Sequence, residues 1–201
     1  MRRTRLKICG IFRKEDIVPI NEARPDYAGF VFYEKSHRHV TEEEAMNLRK
    51  LLDPAVVTVG VFVDELPEKV EAVYKSGTIS IIQLHGHESE EYIRTIREIL
   101  PEAEIWKAFK ITSEADLADA EKSTADMVML DNGYGTGQRF DWDLIGDMKR
   151  PFILAGGLTP ENTGEAVRRF GPAVVDISSG VETDRVKDPD KIRAAAAAAG
   201  R

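Results

Sequence analysis

Eight short runs rich in β-branched and apolar residues recur along the chain: RLKIC, YAGFVF, VVTVGVF, ISIIQL, EIWKAF, DMVML, PFILA and AVVDIS. They begin at residues 5, 27, 56, 79, 104, 126, 151 and 173, a mean spacing of about 24 residues. Between them lie polar, helix-favouring stretches that carry start signals. Thr41 with Glu44, and Ser113 with Asp116, stand at capping-box spacing. Phe140, Asp141 and Ile145 fit a hydrophobic staple around a helix cap. Thr159–Pro160 and Asp188–Pro189 each place a proline at the first helical position. Strands alternating with helices form a parallel sheet, because each crossover needs a helix-length connection. Eight such units are the number that closes a (β/α)₈ TIM barrel, and 201 residues put this one at the small end of that α/β architecture, with short loops. An open doubly wound sheet is the alternative. No G-x-G-x-x-G opens a helix after the first strand, which weakens its dinucleotide-binding form. No low-complexity linker divides the chain, so residues 1–201 are expected to form one barrel domain, ending in the helix-favouring RAAAAAAG at 193–200.

Composition narrows the partners. Apolar residues make up 42% and charged residues 31%, an ordinary globular balance. A formal net charge of −7 provides no general basic field, so nucleic acid is not an expected partner. The single cysteine excludes an intrachain disulfide and fits a reducing compartment. The N-terminal MRRTRLKICGI is basic but lacks the apolar stretch of a secretory signal, and no run approaches the roughly 18 apolar residues of a membrane span. The expectation is a cytoplasmic protein with no membrane partner, either a monomer or a homodimer.

A barrel gives the lone cysteine a direction. Side chains two apart on a strand share a face, so in LKICGI Lys7 and Cys9 lie together and Leu6 and Ile8 lie opposite. Active sites of this fold sit at the C-terminal strand ends, which places Cys9, just before Gly10, at the rim of the mouth. Taken alone, such a cysteine is most simply a small core residue. A lysine one layer below it changes the balance, because an ammonium beside a thiol favours the thiolate and makes Cys9 a candidate base.

The other strand ends supply more chemistry. MVMLDNG finishes in Asp131, where an acid has no packing value beyond an Asx turn. Strand seven ends in Gly156–Gly157 and strand eight in Ser178, Ser179 and Gly180, small residues with free backbone N–H groups where this fold commonly holds a phosphate. In YEKSHRHV after strand two, Arg38 has the planar fork suited to a carboxylate. IIQLHGH places Gln83 and His85 on one strand face at the mouth, and both are assigned with Lys7 and Arg38 to substrate binding. The two H-x-H patterns, His37/His39 and His85/His87, invite a metal. Strands five, six and seven offer no histidine to complete such a site, so no metal is assigned.

KICGI, GFVF, VGVFV, QLHG, MLD, GTGQRFDW, AGGL, Asn162 and VDISSGVE occur in the order found in the phosphoribosylanthranilate isomerase family of tryptophan biosynthesis, which the chain resembles from about residue 5 to residue 192. The resemblance implies that Cys9 is the general base, Asp131 the general acid and Arg38 the group that binds the anthranilate carboxylate. Two features depart from the family pattern: SHRH stands where SPR and an aromatic are usual, and the loop between Asp131 and GTG is shorter than in many relatives.

The implied reaction is an Amadori rearrangement of an aminoaldose phosphate to an aminoketose, which needs one acid and one base but no metal, nicotinamide or flavin. The two groups must be tuned oppositely. Asp131 must be held protonated, and Cys9 must be drawn below its ordinary value of about 8.5, with Lys7 as the candidate cause. A sibling sugar-phosphate isomerase of histidine biosynthesis would be expected to carry Asp on strand one, and Cys9 argues against it. A non-catalytic phosphosugar-binding barrel is the remaining alternative, because fold and phosphate loops alone do not establish turnover.

Overall fold

A computed structural model of the chain describes residues 3–131, 142–146 and 148–200. Eight parallel strands close into a barrel in sequence order: β1 (Arg5–Cys9), β2 (Tyr27–Val31), β3 (Val57–Phe62), β4 (Ile81–Leu84), β5 (Glu104–Lys110), β6 (Met127–Asp131), β7 (Phe152–Leu154) and β8 (Val174–Ile177). β1 pairs with β2 on one side and β8 on the other, with Cys9 opposite Gly29 and Lys7 opposite Asp176. The crossovers carry α1 (Ile17–Ala23), α2 (Glu42–Arg49), α3 (Pro67–Lys75), α4 (Glu90–Ile99), α5 (Glu114–Lys122) and α6 (Pro160–Phe170), and α7 (Pro189–Ala198) ends the barrel.

The cap signals operate as local chemistry requires. Thr41 Oγ1 accepts from the Glu44 N–H at 3.2 Å while a Glu44 oxygen accepts from the Thr41 N–H at 2.8 Å. Ser113 and Asp116 close the same reciprocal pair at α5, and Pro160 and Pro189 begin α6 and α7. One element departs from the eightfold pattern. Between β6 and β7 the described residues contain only the 3₁₀ turn Trp142–Leu144; Phe140 and Asp141 of the expected staple lie outside the described residues. Trp142 and Ile145 nonetheless bury against the core, and the Trp142 ring meets Phe170 of α6 edge-on at 5.7 Å. A two-residue hairpin, β9 (Glu182–Thr183) with β10 (Val186–Lys187), follows β8 and was not apparent in the apolar pattern.

The strand periodicity separates two cores. Leu6, Ile8, Phe30 and Leu130 point outward into the layer beneath the helices, whereas Tyr27, Val59, Ile81, Trp106, Met129 and Ile153 fill the barrel interior. Tyr27 and Trp106 pack edge to face at 5.0 Å in that plug. The plug closes the lower part of the barrel to water, so the polar interior residues above it are held in a dry, shaped floor.

Candidate active site

The floor is built by three neighbouring strands. Lys7 is completely buried, and its Nζ lies 2.8 Å from Asp176 Oδ2 on β8. Burial alone would push the Lys7 ammonium down, yet Asp176 and Cys9 beside it carry its pKa above the ordinary value. Gly29 makes the room: a Cβ there would come within 2.8 Å of Cys9 Sγ and 3.2 Å of Lys7 Nζ. Lys7, expected among the substrate contacts, is completely buried beneath Cys9 and does not line the cavity. The expected effect on the thiol is corrected. Lys7 does pull Cys9 toward the thiolate, but burial outweighs it and Asp176 opposes it, so the thiol pKa is raised. Asp176 Oδ1, buried in the same wall, has no hydrogen-bond partner among the described residues.

Above this floor opens a cavity of about 430 Å³. Cys9, Arg38, Gln83, His85 and Asp131 line one part of it, and Gly156, Gly157, Ser178 and Ser179 line another. Gly180 does not. It lies pressed against the Leu158 carbonyl, where any side chain would collide, so its role is to let the loops after β7 and β8 meet. Gly156 and Gly157 both have left-handed backbone, at φ 78° and 68°, which glycine alone adopts readily. Asn162 braces that turn: its Nδ2 donates to the Gly157 carbonyl and its Oδ1 accepts from the Thr159 N–H, each at 2.9 Å. Two loops rich in exposed N–H groups and hydroxyls thus border the cavity beside the start of α6, an arrangement suited to a phosphate dianion.

On the wall formed by β4 and β6, Gln83 Nε2 lies 2.9 Å from His85 Nδ1, and His85 Nε2 lies 3.0 Å from Asp131 Oδ2. The imidazole thus bridges the two strands, with one ring nitrogen on the Gln83 amide and the other on the Asp131 carboxyl. Gln83 and His85 thereby orient the acid as well as lining the cavity. Two other histidines of the H-x-H patterns turn to different carboxylates: His37 Nε2 stands 3.7 Å from Glu182 and His87 Nδ1 stands 3.0 Å from Asp64.

Arg38 is held by a partner that motif and spacing did not single out. Its Nε and Nη2 donate to the two oxygens of Glu182 at 2.6 and 2.8 Å, and Lys187 Nζ donates to Glu182 at 2.8 Å. Burial would raise the Glu182 carboxyl, but the Arg38 and Lys187 charges hold it down at about 2. Gly10, at φ 76°, leaves space for the Arg38 side chain to cross the end of β1. Glu182 is the last residue of VDISSGVE, so its signal was present as a letter; its partner lies 144 residues away in sequence, and no local pattern links the two.

Eight parallel strands closed into a barrel, with a cavity lined by residues from their C-terminal ends, define a (β/α)₈-barrel protein whose cavity lies where enzymes of this fold carry their sites. Residues 6–198 match the model of the N-(5'phosphoribosyl)anthranilate (PRA) isomerase family, and the chain belongs to that family. It is an isomerase. The N-(5'-phosphoribosyl)anthranilate isomerase of Acetivibrio thermocellus is 43% identical, covering 94% of this chain and 93% of its own. Phosphoribosyl anthranilate isomerase from Thermotoga maritima superposes with a TM-score of 0.89 at 38% identity, over 98% of each chain. A phosphoribosyl anthranilate isomerase in complex with reduced 1-(o-carboxyphenylamino)-1-deoxyribulose 5-phosphate superposes with a TM-score of 0.86, also at 38% identity and 98% of each chain.

Proposed function

We propose that the chain converts N-(5′-phosphoribosyl)anthranilate to 1-(2-carboxyphenylamino)-1-deoxyribulose 5-phosphate, with Asp131 as general acid and Cys9 as general base. The observation that carries this reading is that both groups, on different strand ends, face one cavity that also holds Arg38 and the two glycine- and serine-lined loops. The complex of a relative with a reduced form of that product supports the choice of substrate.

The proton of Asp131 goes to the furanose ring oxygen as the C1′–O bond breaks and the anthranilate nitrogen's lone pair moves to C1′, leaving a protonated Schiff base between C1′ and that nitrogen. The Cys9 thiolate then takes the C2′ proton. The freed electron pair forms the C1′–C2′ double bond and neutralises the nitrogen, and transfer of the 2′-hydroxyl proton toward C1′ completes the aminoketose. Phosphate would sit on the Gly156–Gly157 and Ser178–Ser179 loops, and the ring carboxylate on Arg38. Asp176 Oδ1, an unfilled acceptor in the wall, would take a hydrogen bond from a sugar hydroxyl.

The raised Cys9 pKa gives the reaction a pH signature. A thiol held above its ordinary range is mostly protonated at neutral pH, so kcat/KM should climb with pH into the alkaline range. Loss of phosphoribosylanthranilate fluorescence, with the substrate generated in place, measures turnover directly. Cys9→Ala and Asp131→Asn should each lower kcat by at least about 10²-fold. Near-normal turnover in either variant removes that residue from its role. Turnover of the histidine-pathway aminoaldose in preference to phosphoribosylanthranilate would overturn the substrate.

A further inference from the structure

The turn joining β9 to β10 consists of Asp184 and Arg185, and both have left-handed backbone, at φ 52° and 65°. Two-residue hairpin turns of this kind favour glycine, above all at the second position, because a Cβ there crowds the neighbouring carbonyl. Aspartate tolerates the conformation through its short polar side chain; arginine has no such compensation. Yet the strained residue is the one that reaches the cavity, whose rim Arg185 lines. Strain retained at a ligand cavity points to a role for the side chain itself.

The hairpin also fixes which side of the mouth Arg185 serves. Its first residue, Glu182, grips Arg38 through Nε and Nη2, leaving that guanidinium only its Nη1/Nη2 edge for a ligand. The Arg185 charge is felt at His37, where it adds to burial and to Arg38 in lowering the imidazole pKa. Arg185 itself makes no ion pair or hydrogen bond with the described residues. Lys35 lines the same rim without a carboxylate partner among the described residues, but its backbone is unstrained, so strain singles out Arg185.

We propose that Arg185 is a specificity-determining residue that contacts the aryl carboxylate of the substrate, sharing it with the free edge of Arg38. The assignment rests on the isomerase reading above and extends it to a residue outside the acid–base pair. It also explains how Arg38 can bind a carboxylate while two of its nitrogens are already engaged by Glu182: a second guanidinium at the rim adds donors and positive charge that Arg38 alone offers only along its free edge.

Arg185→Gly separates this role from a structural one, because glycine relieves the turn while removing the cation. The melting temperature should rise by a few degrees, and KM for phosphoribosylanthranilate should rise about tenfold with a much smaller change in kcat. Binding of N-methylanthranilate, a carboxylate probe without phosphate, should weaken about tenfold, and inhibition by inorganic phosphate should stay the same. Arg185→Lys should recover part of the KM loss. A lowered melting temperature with unchanged KM would make Arg185 structural and overturn the proposal. Weaker phosphate inhibition with unchanged N-methylanthranilate binding would overturn it in favour of a phosphate contact. Because the two probes read binding without turnover, a wild-type protein inactive on phosphoribosylanthranilate would refute the isomerase reading while the probes still judged Arg185.

Discussion

Two of the buried lysine–carboxylate pairs in this protein have nearly the same geometry and opposite states of completion. Lys7 and Asp176 meet at 2.8 Å inside the barrel, and Lys107 and Glu88 meet at 2.9 Å outside its wall. Every oxygen of the outer pair is occupied. Glu88 Oε1 accepts from the Asp64 N–H, Oε2 accepts from the Gly86 N–H as well as from Lys107, and Lys107 Nζ also donates to the Gly86 carbonyl. This is a closed clamp that fixes the loop after β4, on which His85 stands. The inner pair is open. Asp176 Oδ1 has no partner among the described residues, and Lys7 is shared between Asp176 and the Cys9 thiol. A buried acceptor left unfilled costs about 1–3 kcal/mol, a cost with a use only if a ligand later fills it. Equal burial therefore does not mean equal purpose; the count of satisfied atoms separates scaffold from site.

Breaking each pair at the lysine gives the largest contrast. Lys7→Met and Lys107→Met each strand a buried carboxylate and should each cost about 3–5 kcal/mol in urea unfolding. Turnover per folded molecule should collapse only for Lys7→Met, and thiol absorbance against pH should show Cys9 moving still higher when the ammonium that lowers it most is gone. An unmoved Cys9 titration would make the inner pair as purely structural as the outer one.

Glu182→Gln sharpens the comparison at the mouth, where a carboxylate serves both binding and stability. The Glu182 carboxyl is depressed in the folded chain to about 2, from an ordinary 4.5. Its stabilisation is thus fully present above the unfolded value and is lost as pH falls through the folded one. The wild-type protein should lose stability between about pH 5 and pH 2 partly through this group, and the variant should show a shallower acid slope over that window. Substrate KM should rise about tenfold because the Arg38 fork loses its anchor, with a smaller change in kcat. An unaltered KM would show that Arg38 needs no such support.

The smallest expected effect lies at a helix cap that does not line the cavity. Thr41→Ala removes one side of the reciprocal cap of α2 and should cost about 0.5–2 kcal/mol, with no change in kcat or KM. Altered kinetics in that variant would mean that the α2 cap also positions the loop bearing Arg38, and the division between scaffold and site would need redrawing.

What was legible from the sequence alone was whatever depends on neighbours in the chain. Eight evenly spaced β-branched runs required eight parallel strands, and the caps at Thr41, Ser113, Thr159 and Asp188 required helices to begin where they do, because strand alternation and capping bonds span only a few residues. The same locality exposed Cys9 and Asp131, since a polar group that closes a strand lies at the barrel mouth whatever the packing. Tertiary structure alone decided the rest. The union of Arg38 with Glu182 across 144 residues, the single 3₁₀ turn described between β6 and β7 where a helix was expected, and the strained Arg185 at the cavity rim each depend on elements distant in sequence. So does the sign of the Cys9 shift. Lys7 is two residues away and always pulls the thiol down, but whether burial outweighs that pull is set by how completely eight strands and their interior plug exclude water, which no stretch of chain contains by itself.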